Sequence, residues 1–281
     1  MSSMKKTMET IEYYFIDNKT RLSDNTVKAY RISLRHFFRF VRKPYDKVKE
    51  EDIYAWLSKL LENGLSARTR NLRLISVRLF FYYAFEEGLI DQNPFADIKA
   101  VKVEKGMPYY LNRRQLAELF EATKASPRDR ALVEMLYATG ARISELLDIK
   151  TSDIRWGERL IWIRKGKGSK ERFVLFTADC SARLCEYLKI RNDESPYIFS
   201  NGRGGHISTA WVQLICRNYS KMLGFKVTPH MLRRSLAVHM AEKDMPISYI
   251  QDILGHKNID TTKIYTQLSS EARKKKYDSY Q

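Results

Sequence analysis

The stretch DQNPFADIKAVKVEKGMP, residues 91–108, divides the chain into two unlike parts. It loses the three-to-four-residue apolar spacing that runs before it and carries Pro94, Gly106 and Pro108 among many charges, the composition of connecting chain. The linker proper is placed at residues 96–108, between a helical domain over residues 1–95 and a second domain over residues 109–281. A length of 281 residues exceeds the usual size of one domain and suits two.

Before the linker the pattern is helical from Lys5 to about Gly88. Val27, Tyr30, Leu34, Phe37, Phe38 and Val41 make one apolar stripe, and Ser23-Asp24-Asn25 supplies capping residues ahead of it. Lys28, Arg31, Arg35 and Arg39 step along the same helix as a basic stripe. A second long helix is predicted over Ala67 to Glu87, with Leu72, Ile75, Leu79 and Tyr82 facing inward and Arg68, Arg70, Arg73 and Arg78 crowding its first half. Two basic helices in one small unit suggest a clamp on a duplex, with Lys28, Arg31, Arg35, Arg70 and Arg73 meeting phosphates. A solvated charged face is the plain alternative for either helix alone.

After the linker, Asn112 can cap a helix through about Ala122, and Ser126-Pro127 opens another. Leu160 to Arg164 and Arg172 to Phe176, rich in β-branched and aromatic residues, flank the turn-like Lys165-Gly166-Lys167-Gly168-Ser169-Lys170 and signal a hairpin. Helical patterns resume near Ser181, Thr209 and Leu232 and continue to Leu254. The chain is therefore expected to be mainly α: a two-domain DNA clamp whose second domain is mostly helical with a small antiparallel sheet.

Charge agrees with a polyanionic partner, since 50 Lys and Arg against 33 Asp and Glu leave a formal net charge of +17. No apolar run of about 18 residues and no apolar signal core occur, so neither a membrane partner nor export is expected. Cys180, Cys185 and Cys216 fit no CxxC or Cys/His zinc spacing, which points to a reducing cytoplasm and to neither a disulfide framework nor a structural metal.

Six residues are weighed as a set, although each alone has a dull explanation. Arg142, in YATGARISELLDIK, follows Gly140, which permits an unusual backbone entry, and shares a helix face with Glu145 at i, i+3 spacing. Glu145 could orient a guanidinium that grips two phosphate oxygens, or simply form a surface pair. Lys167 sits at the hairpin tip between Gly166 and Gly168, where it is either a solvated charge or a proton donor in a phosphate site. In TPHMLRRS, Pro229 starts a helix on which His230 and Arg233 lie one turn apart near the anion-favouring end. His256 follows Gly255, which would terminate the helix PISYIQDILG, and Tyr265 comes nine residues later in HKNIDTTKIYT. No HExxH, no carboxylate cluster at ligand spacing, no GxxxxGK[ST] and no GxSxG is present, so metal, P-loop and serine-hydrolase chemistries lack their motifs, and no cofactor is expected.

ATGARISEL, GKGSKERFV, TPHMLRRS and LGHKNIDTTKIYT, in this order and spacing, resemble the tyrosine recombinases of the phage integrase family, most closely the compact Xer-type members. The resemblance covers essentially the whole chain, its basic helical start being similar to that family's core-binding domain. It implies that Arg142, Lys167, His230, Arg233, His256 and Tyr265 are the catalytic set, with Glu145 as supporting acid. It further implies a 3′-phosphotyrosine intermediate, strand exchange through a Holliday junction, and a homotetramer on double-stranded DNA, alone or with a second related recombinase. Arg234 stands where many relatives have His, and Leu236 where Phe is common, which touches local packing or substrate preference rather than catalysis. A type IB topoisomerase shares the chemistry but relaxes DNA alone, and a DNA-binding regulator would use the basic helices without a covalent step. Chromosome dimer resolution and mobile-element integration or excision both stay open.

Overall fold

The computed structural model describes residues 2–103, 109–164 and 171–255. The chain forms two compact units, Met1–Gly106 and Met107–Gln281.

The first unit holds four α-helices among its described residues: α1 (Ser2–Asp17), α2 (Asp24–Val41), α3 (Glu50–Glu62) and α4 (Ala67–Glu86). Ser23 and Ser66 cap α2 and α4 by accepting the N–H of Thr26 at 3.3 Å and of Thr69 at 3.2 Å, each cap contributing about 1 kcal/mol. On α2 the expected stripe is the buried one: Leu34, Phe37 and Phe38 are fully enclosed, while Val27, Tyr30 and Val41 pack around them.

On α4 the expected face is overturned. Leu72, Ile75, Leu79 and Tyr82 are exposed, and the helix buries Leu74, Val77, Phe80, Phe81 and Ala84 instead. Apolar residues fall on more than one face of the helix, so periodicity offers two competing stripes. Packing chooses the one whose aromatic rings meet α2: Phe38 lies 5.8 Å edge-on to Phe80 and 6.1 Å from Phe81, and Phe37 lies 6.0 Å from Phe81.

Chain placed in the linker belongs in part to this unit. Phe95 and Ile98 are buried in its core, and Asn71 of α4 brackets Val101, donating to its carbonyl at 2.6 Å and accepting its N–H at 2.7 Å. Arg78 donates to the carbonyl of Ile98. Irregular chain held by the side chains of Asn71 and Arg78 shows no apolar periodicity, which is why it reads as a linker.

The second unit contains α5 (Arg113–Ala122), α6 (Pro127–Thr139), α7 (Ile143–Leu147), β1 (Ile154–Arg155), β2 (Leu160–Ile163), β3 (Arg172–Leu175), α8 (Ala178–Ile190), α9 (Thr209–Leu223), α10 (Pro229–Ala241) and α11 (Ile247–Leu254). The capping residues foreseen from sequence act as such: the Asn112 side chain accepts the N–H of Gln115 at 2.9 Å and Ser126 that of Asp129 at 3.3 Å. Helix α6 is the central element, burying residues on all sides from Ala131 to Thr139 against α8 and α10. The sheet is antiparallel in the order β1-β2-β3, with Ile161 opposite Val174 and Ile163 opposite Arg172. The hairpin was legible; β1, two residues long, is too short to show alternation. The helical run from Leu232 to Leu254 is broken, because α10 ends at Ala241 and Pro246, which lacks an N–H, starts the separate α11. Among the described residues no helix is long and apolar enough to cross a membrane.

Candidate active site

The site is built at four helix ends, those of α6 and α11 and the starts of α7 and α10. Helix α6 stops at Gly140, whose φ of +56° is the left-handed turn that ends a helix, and a Cβ there would lie 2.8 Å from Leu236 Cδ2 and 2.9 Å from Leu254 Cδ2. Two residues later Arg142, extended at φ −68° and ψ 148°, is the N-cap of α7. Arg142 therefore does not share a helix face with Glu145. Instead Glu145, in the first turn, reaches back: Oε2 accepts the Arg142 backbone N–H at 2.8 Å and Oε1 accepts Nη1 at 2.6 Å.

Glu145 is buried and receives a second guanidinium. Arg172, at the start of β3, donates Nη1 to Oε1 at 3.1 Å and Nη2 to Oε2 at 2.8 Å. Burial alone would raise the Glu145 pKa, but the hydrogen bonds from Arg172 and from the Arg142 N–H, with the two positive charges, hold it down at about 2. The carboxylate is thus ionised at any working pH.

Arg233 and His230 come from α10, which Thr228 caps and Pro229 opens. Arg233 is buried and donates to the carbonyls of Gly140 and Leu254. Arg142 Nη2 donates to the next carbonyl along, Gly255, at 3.1 Å. Adjacent acceptors at the end of α11 therefore bring the two arginines together. His230 keeps an exposed surface, while the removal of water by surrounding protein, and then the charges of Arg234, Arg233 and Arg142, lower its pKa. A neutral imidazole beside two guanidinium groups can accept a proton while the cations hold an anion. Lys167, His256 and Tyr265 lie outside the described residues. Gly255, at φ +61°, ends α11 as the sequence predicted, one peptide bond before His256.

Residues 110–272 match the phage integrase family, and residues 11–88 match the phage integrase N-terminal SAM-like domain. The tyrosine recombinase XerC of Thermodesulfovibrio yellowstonii is 34% identical over 262 residues, covering 88% of this chain and 86% of that protein. The chain belongs to the phage integrase family of tyrosine recombinases.

Among solved recombinase structures, the crystal structure of XerA recombinase is 29% identical, with a TM-score of 0.57, 98% of this chain and 99% of that one being covered. A lambda integrase dimer bound to a COC' core site shares the fold at a TM-score of 0.78 and 22% identity, over 92% of this chain and 76% of that one.

The cations expected to meet DNA lie on the first unit of this recombinase, and they are not equivalent. Lys28 and Arg35 are exposed on α2, and Arg70 and Arg73 are half-buried on α4. Arg31 is engaged elsewhere: both its terminal nitrogens donate to Glu12, Nη2 at 2.6 Å, and its guanidinium lies 4.5 Å over the Phe15 ring. The carboxylate comes from α1, a partner for Arg31 that the periodicity of α2 cannot foresee.

Arg172 is the residue that sequence reasoning missed. It stood inside the recombinase motif GKGSKERFV, and the available signal was an arginine where a strand of alternating burial begins. Among the described residues no group of three or more His, Cys, Asp or Glu side chains is arranged to hold a metal ion.

Proposed function

We propose that this protein is a site-specific DNA recombinase that cuts and rejoins double-stranded DNA through Tyr265. The observation that carries the proposal is the meeting of Arg142 and Arg233 at the end of α11, where a phosphodiester can be gripped without a metal. The Tyr265 hydroxyl attacks phosphorus, forming a 3′-phosphotyrosine bond as the bond to the 5′ oxygen breaks. Arg142 and Arg233 neutralise the charge that builds on the non-bridging oxygens. His230 takes the tyrosine proton, His256 binds the phosphate, and Lys167 gives a proton to the departing 5′ oxygen. Attack by a 5′ hydroxyl from the partner duplex reverses the step and leads through a Holliday junction. Bond energy is retained in the adduct, so neither ATP nor a cofactor is needed.

Lys28, Arg35, Arg70 and Arg73 hold the DNA backbone from the first unit. The protein works in the cytoplasm as a homotetramer on its site, alone or beside a second related recombinase. Denaturing the protein on DNA and looking for a covalent adduct tests the core of this reading. A Tyr265→Phe variant should bind DNA and yield no adduct; an adduct formed by that variant would move the nucleophile elsewhere. Relaxation of supercoiled plasmid lacking any preferred site would point to a topoisomerase instead.

A further inference from the structure

Arg172 touches both of the groups that hold Arg142. Its terminal nitrogens span the two oxygens of Glu145, at 3.1 and 2.8 Å, and so fix the plane of the carboxylate from which Arg142 hangs. Its inner half lies on Gly255: a Cβ added to that glycine would fall 2.9 Å from Arg172 Nε and 3.0 Å from Cδ and Cζ. The Gly255 carbonyl is the other acceptor of Arg142, at 3.1 Å. The side chain is only 14% exposed, and its Nε meets no hydrogen-bond acceptor among the described residues. Both terminal nitrogens are directed at Glu145, so the contacts that this side chain makes among the described residues lead to the carboxylate and glycine that hold Arg142.

We propose that Arg172 is a positioning residue for strand cleavage. By clamping Glu145 and packing on Gly255 it sets the direction in which Arg142 presents its guanidinium, and it braces the chain immediately before His256. This rests on the recombinase reading above. Lysine cannot replace it, because a single ammonium cannot span both carboxylate oxygens and also cover the glycine. Without Arg172, the buried Glu145 keeps one cationic partner where it now has two, and Arg142 gains freedom to turn. A misplacement of about 1 Å in such a group costs on the order of a hundredfold in rate.

The test uses the full-length protein and a nicked duplex whose randomised core the parent protein has selected by covalent capture. Arg172→Gln should form the adduct about a hundredfold more slowly at saturating DNA, while its affinity for the same duplex stays close to the parent's. In a Glu145→Gln background, adding Arg172→Gln should cost little more, since the two residues act through one contact. Arg172→Lys, which keeps a buried cation, serves if the glutamine variant does not fold, and should show the same slow cleavage with normal affinity. Parent-like cleavage by these variants would overturn the proposal. So would losses that fall equally on affinity and rate and multiply with Glu145→Gln, the signature of general destabilisation. Failure of the parent itself to capture any duplex would remove the recombinase reading and the proposal together, an outcome distinct from the others.

Discussion

Nη2 of Arg142 donates to the carbonyl oxygen of Gly255 at 3.1 Å, across 113 positions of sequence. With Nη1 on Glu145 at 2.6 Å, two of the five N–H groups of this side chain are committed to the protein, and the side chain remains 29% exposed. One guanidinium thus joins the start of α7 to the end of α11 and keeps an exposed surface. Arg142→Lys keeps the charge but cannot serve Glu145, Gly255 and a phosphate at once. Cleavage by that variant should slow by about two to three orders of magnitude, the usual worth of one donor to a developing oxyanion. Single-turnover adduct formation checks this, and a loss of only severalfold would mean that the charge alone matters.

Lys167 is expected to act as the general acid. Lys167→Ala should slow cleavage by about two to four orders of magnitude with little change in binding. With sulfur in place of the 5′ bridging oxygen the leaving thiolate needs no proton, and the variant should approach the parent rate. If sulfur fails to rescue the variant while the parent cleaves that substrate well, Lys167 binds the phosphate, and Lys170 is the next residue to test.

Acid should weaken the second unit through Glu145. Its folded pKa, about 2, lies below the ordinary value of 4.5, so its contribution is fully present above pH 4.5 and is lost as pH falls towards 2. The loss attributable to this group is roughly 3 kcal/mol. Urea unfolding across that window should therefore give a steeper decline for the parent than for Glu145→Gln, although the variant is the less stable at neutral pH. Parallel declines would show that Glu145 is not the titrating group.

Salt dependence should separate two neighbours on α2. Arg35 is exposed, whereas Arg31 is paired with Glu12 and stacked on Phe15. Arg35→Ala should lower the slope of log affinity against log salt by about one, the release of one phosphate's counterion. Arg31→Ala should leave the slope unchanged. A lower slope for Arg31→Ala would mean that DNA displaces Glu12.

Gly140→Ala should be costly for two reasons at once. The backbone sits at φ +56°, and the new methyl would press on Leu236 and Leu254. Together strain and overpacking should remove about 3 kcal/mol, read as a lowered urea midpoint at unchanged slope.

Local signals in the sequence reached the caps at Ser23, Asn112 and Ser126, the hairpin, and the helix-ending role of Gly255, because each depends on residues close in the chain. The candidate site was legible as four ordered motifs; the structure places Arg142, Glu145, His230 and Arg233 from two of them at neighbouring helix ends, while Lys167, His256 and Tyr265 lie outside the described residues. What stayed hidden depended on distant partners. The buried face of α4 was decided by Phe37 and Phe38 of α2, Arg31 was claimed by Glu12, and Arg172 gained its meaning from Glu145, 27 positions earlier. Helical spacing likewise predicted a pairing of Arg142 with Glu145 but not its form, since the N-cap geometry of Arg142 is set by the turn at Gly140.

Arg233 and Arg142 are anchored by the carbonyls of Gly140, Leu254 and Gly255, which are main-chain atoms. No point substitution can delete a carbonyl, so drift among the surrounding side chains leaves these acceptors in place while the helix ends keep their turn. For Arg233 fragility is then concentrated at the helix ends that carry these carbonyls, whereas Arg142 depends also on the Glu145 side chain, which a single substitution can remove.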